Sequence, residues 1–190
     1  MKLRFRACGL ILAASLSLTT AAANAYDSAP SSPAALATIE SLDVPRYMGT
    51  WHEVAKYPNW FQRKCVGDTT AHYRLQDDGR VEVTNRCRTE DDSFIEVVGI
   101  ARQIGAEDSP ILKVRFAPAW LSFLPFVWGD YWVIDLDANY QLAAVSEPGR
   151  KYLWILSRTP QVEATAYQAL LERLAQMGFE LDKLEGAIAD

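Results

Sequence analysis

Few side chains in this sequence can do covalent or metal chemistry, and their spacing decides what they could do. His52 and His72 both fall at positions that alternate outward along their strands. No group of His, Cys, Asp and Glu has metal-ligand spacing, so no metal site is expected. There is no Ser/His/Asp signature and no phosphate-cradling glycine loop, and no cofactor is expected. Cys65 and Cys87 remain. In an oxidising compartment their default is a disulfide, closing a loop of about 23 residues for roughly 3 kcal/mol in the chain-entropy model. Gly49-Thr50-Trp51 and Arg158 suggest a different use of the chain. A tryptophan on a first strand, covered by an arginine that follows the last, can plug one end of a small barrel. Apolar contact and a cation–π attraction of about 0.5–2 kcal/mol would hold them together. Such a plugged barrel suggests storage of a greasy ligand, although eight strands permit either a filled core or a ligand cavity.

Export follows from the first 25 residues. Lys2, Arg4 and Arg6 precede an apolar run from Leu10 to Leu18 and a small-residue cleavage site at Ala23-Asn24-Ala25, the pattern of a cleavable signal. The mature chain would begin at Tyr26. Cys8 lies before the apolar run, whereas a lipid-modified cysteine follows the cleavage site, so the signal has no lipobox. No later stretch reaches the length of a membrane-spanning helix. In a double-membrane bacterium the expected location is the periplasm, with peripheral contact to the outer membrane possible. The chain is acidic, formally −5, and losing the signal removes three cations more. With no basic stripe, nothing favours nucleic acid as a partner.

The elements that must position these residues are mostly strands. Residues 26–42, rich in Ala, Ser and Pro, read as a flexible leader, and the domain is expected over 43–190. Short runs rich in Val, Ile, Tyr, Trp and Thr, broken by turn residues, predict eight strands: 50–56, 67–76, 80–88, 94–103, 111–117, 130–136, 141–146 and 151–157. Eight sequential strands joined mainly by short loops imply an all-β, up-and-down antiparallel barrel. One helix is predicted over 161–177, capped by Thr159, started by Pro160 and ended at Gly178. Its stripe of Val162, Ala166, Leu170, Leu174 and Met177 would pack on the outside of the barrel.

Two-residue alternation assigns faces. The expected inward sets are Trp51, Glu53 and Ala55; Ala71, Tyr73 and Leu75; Val81, Val83 and Asn85; Leu112, Val114 and Phe116; Tyr131 and Val133; and Trp154 and Leu156. Lys56, His72, Arg80, Glu82, Lys113 and Arg115 would face water. If Asp77-Asp78-Gly79 is a hairpin loop, Gln76 faces Arg80 and Cys87 falls opposite Thr69. A four-residue offset from Cys65 is about 13 Å of straight strand, beyond the ~7 Å reach of a disulfide. The chain must therefore bend back before Thr69, and Gly67 is where it can.

Three segments in order, Tyr47-Met48-Gly49-Thr50-Trp51-His52-Glu53-Val54-Ala55, the shortened Asp137-Ala138-Asn139-Tyr140, and Tyr152-Leu153-Trp154-Ile155-Leu156-Ser157-Arg158-Thr159-Pro160, make the chain resemble the lipocalins, within them the bacterial and apolipoprotein D-like branch. The resemblance spans Val44 to about Lys183. It implies a calyx closed by Gly49, Trp51 and Arg158, open at the other end, and binding fatty acids, lysophospholipids or similar lipids without catalysis. The candidate ligand-binding residues are Glu53, Tyr73, Val83, Asn85, Val114, Phe116, Tyr131 and Trp154. Glu53 and Asn85 either meet a lipid headgroup or form a buried polar pair. Burying about 14 methylenes at roughly 0.8 kcal/mol each outweighs association costs of several kcal/mol, so micromolar or tighter binding needs no charged clamp.

Two alternatives accompany this reading. Cys65 lies close to where a lipocalin prostaglandin isomerase carries its reactive thiol, and as a free thiolate it could attack a ligand. A completely filled barrel would instead be an interaction module. The segment 117–128, with Trp120, Leu121, Phe123 and Phe126, is too apolar for an ordinary exposed loop. It is expected to touch a bilayer surface or a second subunit, giving a homodimer, or else to fold over the barrel end as a lid.

Overall fold

The computed structural model describes residues 34–186; the signal segment and the first part of the leader lie outside the described residues. Eight antiparallel strands follow one another around a closed barrel: β1 Gly49–Lys56, β2 Gly67–Leu75, β3 Val81–Arg88, β4 Phe94–Gln103, β5 Ile111–Arg115, β6 Gly129–Leu136, β7 Leu142–Ser146 and β8 Leu153–Ser157. β8 pairs with β1, so no strand edge is left along the ring. A one-turn helix, α1 Val44–Tyr47, precedes the barrel, and α2 Ala164–Gln176 follows it. The expected architecture is therefore present, with each strand within two residues of its predicted limits.

The core has two layers. Trp51, Tyr73, Val81, Val83, Ala101, Leu112, Val133, Val145 and Leu156 pack inside the barrel. Val54, Ile134, Ala144, Leu153 and Ile155 form the outer face of one wall and pack on Tyr167, Leu170 and Leu174 of α2. Asp135, beside that wall, accepts two hydrogen bonds from the Arg173 guanidinium, at 2.6 and 2.9 Å, and pins the helix.

Several sequence expectations need correction. The helix begins at Ala164, because the Glu163 carboxylate accepts from the backbone N–H of Thr165 and Ala166 and so fills the cap position. Thr159 instead donates its hydroxyl to the Gln161 carbonyl. Tyr167 takes the inner place assigned to Ala166, which is exposed. The leader is anchored before Asp43: Leu36 and Leu42 are buried, Ile39 N–H donates to Val133, and Leu42 N–H donates to Asp108.

A bulge in β1 between Glu53 and Ala55 reverses the faces that follow it. Ala55 thus joins the outer cluster under α2. Lys56, expected in water, stands opposite the inward Trp154 and is mostly buried. Arg115 does point outward, but the returning 117–128 segment covers it. Trp128 lies against both Arg102 and Arg115, at 4.4 and 5.2 Å from the ring centroid, and Arg115 is buried.

Candidate functional site

The barrel has a plugged end and an open end. At the plugged end Trp51 is wholly buried and its indole N–H donates to the Tyr47 carbonyl at 2.9 Å. The Arg158 guanidinium lies 4.0 Å above the ring centroid. Three carbonyls, those of Thr50, Arg46 and Tyr140, accept its N–H groups at 3.1, 2.9 and 3.3 Å, so the cation is neutralised by dipoles rather than by a carboxylate. Gly49 makes this fit: its φ is +96°, and a Cβ there would sit 3.2 Å from the Arg158 guanidinium.

Above the plug three phenols converge. The Tyr131 hydroxyl is 2.9 Å from that of Tyr47 and 3.0 Å from that of Tyr73. Burial pushes the Tyr73 phenol up to about 12 and holds Tyr47 and Tyr131 well above the usual tyrosine value, so all three stay protonated at neutral pH. Val83 and Tyr73 are fully packed at this level, whereas Tyr131 is partly exposed.

Higher up, the inward residues Asn85, Val114 and Trp154 are less completely buried. Val97 stands opposite Asn85 on the inward face, yet about 52% of its surface is exposed. Residues 94–98 of β4 run past its pairing with β5, which begins at Ile100, so both inward Val97 and outward Val98 are exposed at this end of the barrel. Val114 and Phe116 lie on the same wall, and the Phe116 ring covers Gly99, where a Cβ would come within 2.6 Å of it. Only glycine leaves that space.

The mouth carries a polar group. Gln62, on the 3-10 turn Trp60–Gln62, donates to the Glu53 carboxylate at 2.6 Å and accepts from the Trp154 indole N–H at 3.0 Å. Lys56 Nζ lies 3.8 Å from Glu53 and 3.6 Å from Glu185. Burial raises the Glu53 carboxyl above its ordinary value, against the lowering effects of the Gln62 hydrogen bond and Lys56. Phe61, Tyr152 and Trp154 stack beside this group.

The eight candidate lining residues thus all belong to the inward face, but at different depths. Tyr73, Val83 and Tyr131 form the floor, Asn85, Val114 and Phe116 the wall, and Glu53 and Trp154 the rim. Sequence reasoning missed Lys56, Gln62 and Val97. Alternation within 94–103 would have found Val97, had apolar residues not occupied both faces of that strand.

Cys65 and Cys87 form a disulfide with a Cα separation of 5.5 Å. The required bend is a bulge after Gly67, with Asp68 at φ +51°, and Gln76 does pair with Arg80. The bridged sulfur leaves no thiolate at Cys65 for the isomerase-type alternative. In the 117–128 segment Trp120, Phe123 and Phe126 are each about three quarters exposed, so these rings do not fold over the barrel end as a lid.

Comparison with known proteins agrees with this geometry. The profile of the lipocalin-like domain matches residues 42–188. The chain is 42% identical over 149 residues to temperature-induced lipocalin-1 of Arabidopsis thaliana, covering 77% of this chain and 78% of that one. It is 38% identical over 158 residues to the outer membrane lipoprotein Blc of Citrobacter freundii, covering 83% and 85%. Among solved structures, the cockroach allergen Per a 4 superposes with a TM-score of 0.61 at 21% identity, covering 80% of this chain and 91% of that one. The chain belongs to the lipocalin-like family, in the branch of Blc and apolipoprotein D, a family that binds small hydrophobic ligands.

Proposed function

We propose that the protein is an exported, non-enzymatic carrier that binds and stores or transports a single-chain lipid, a fatty acid or lysophospholipid, in the cell envelope. The observation that supports this most is the partly buried inward wall above the phenol floor, Asn85, Val114 and Trp154, with Glu53, Lys56 and Gln62 at the rim. An acyl chain would lie along Val114, Phe116 and Val97, with its polar head at that rim. Asn85 offers a further polar contact on the way down. The fully buried inward residues lie in the lower barrel, while Asn85, Val114 and Trp154 above them are only partly buried, which argues against the filled-barrel reading. The export-like first 25 residues and relatives described as outer membrane lipoproteins support an envelope location, periplasmic in a double-membrane cell.

Native mass spectrometry of protein purified from its export compartment without detergent tests the carrier reading. A co-purifying lipid at one per chain is expected. An apo mass that also refuses added oleic acid and lysophospholipid would overturn it.

The 117–128 segment is assigned to lipid transfer by contact with a bilayer surface, because Trp120 and Phe126 on two 3-10 turns, and Phe123 on the link between them, are all exposed. Leu121 lies beside them, more covered. Trp120→Ser combined with Phe123→Ser should abolish co-sedimentation with liposomes while leaving the melting temperature unchanged. Unchanged sedimentation would remove the membrane assignment, and a change in oligomeric state instead would move it to a second copy of the chain.

A further inference from the structure

The phenol cluster on the calyx floor has one proton more than it can use. Each neutral phenol carries one O–H donor. Tyr47, Tyr73 and Tyr131 therefore bring three protons to two contacts, both of them centred on the Tyr131 oxygen. Among the described residues no other group hydrogen-bonds to these hydroxyls. If Tyr47 or Tyr73 held the unused proton, it would point into a shell of packed apolar side chains, at the full desolvation cost of an unpaired buried donor. The arrangement that avoids this has both outer phenols donating to the Tyr131 oxygen. Its own proton is then the one left over, on the residue of the three that is not fully buried and that lies on the inward face of β6.

We propose that the Tyr131 hydroxyl is a hydrogen-bond donor site at the deep end of the calyx, selecting lipids whose chain carries an oxygen acceptor, such as a keto group, far from the head. This rests on the carrier reading above. The neighbouring floor residues Val83, Leu112 and Val133 are apolar, so one donor decides the polarity of the floor. A plain acyl chain reaching it displaces any water there and leaves the phenol proton unpaired. An oxygenated chain replaces that water with its own acceptor.

The test uses stearic acid and a series of keto-stearic acids with the carbonyl moved stepwise along the chain, measured by calorimetry on the full mature protein. At the best position the keto acid should bind about tenfold more tightly than stearic acid. Tyr131→Phe should erase that gain, leaving the keto acids no tighter than stearic acid measured on the same variant. Tyr73→Phe, which leaves the Tyr131 proton free, should keep the gain. The carbonyl stretch of the bound keto acid, shifted down by hydrogen bonding in the parent and unshifted in Tyr131→Phe, reports the contact directly. A flat series, or a gain that survives Tyr131→Phe, overturns the proposal and leaves the carrier reading standing. Failure of stearic acid and every keto acid to bind overturns both.

Discussion

The two ends of this barrel are built on opposite terms. At the plugged end Trp51 has no exposed surface, its one donor is paired, and Arg158 above it meets three carbonyls. At the mouth Trp120, Phe123 and Phe126 keep about three quarters of theirs, and inward Val97 is exposed. The same residue type is thus used for opposite purposes. Tryptophan at the base contributes buried area and shape, whereas tryptophan at the rim contributes almost nothing to folding and is free to contact something else. Stability concentrates where the chain must close, and exposure where a ligand must pass.

The contrast is sharpest in substitutions of tryptophan. Trp51→Ala should cost about 3–5 kcal/mol in urea unfolding, because it empties a fully buried site. Trp120→Ala should stay within about 0.5 kcal/mol of the parent. A Trp51→Ala protein that unfolds within about 1 kcal/mol of the parent would break the comparison, since the plug would then not be the stability centre. The disulfide is the one strong constraint near the mouth. Replacing Cys65 and Cys87 together by serine should lower stability by roughly 3 kcal/mol, the loop-closure entropy of a separation of 22 residues. If the loss is near zero, the unfolded chain already holds those ends together.

The smallest effect is electrostatic and separates the rim from the floor. Burial raises the Glu53 carboxyl from 4.5, so its contribution to stability is fully present below pH 4.5 and is lost as pH rises through the higher folded value. Glu53→Gln removes that loss. The stability of the variant relative to the parent should therefore increase from pH 4.5 to 7.5 in denaturant titrations. A decrease over the same window would mean that the Lys56 ion pair outweighs burial.

How far the sequence could be read differs along the chain. The eight strands, the hairpin register through Gln76 and Arg80, and the need for a bend near Gly67 all follow from period-two patterning and turn chemistry, which act over a few residues. The rim did not follow. A bulge between Glu53 and Ala55 inserts one residue into β1 and sends Lys56 inward, and no local propensity marks where a bulge falls. Arg115 was misread for a related reason, since only the returning 117–128 segment determines that Trp128 covers it. The helix start moved because Glu163 reaches two backbone donors that Thr159 does not.

The sequence by itself determined that this chain closes an eight-stranded barrel on Gly49, Trp51 and Arg158, because alternation, turn residues and the distinctive segments around those positions are carried by neighbouring residues. Only the tertiary structure decided which polar groups meet inside it. The phenols of Tyr47, Tyr73 and Tyr131 come from α1, β2 and β6, and the rim group joins β1, the turn after it and β8. Contacts between elements so far apart in the chain depend on barrel closure, register and one bulge, none of which a residue's neighbours in sequence can specify.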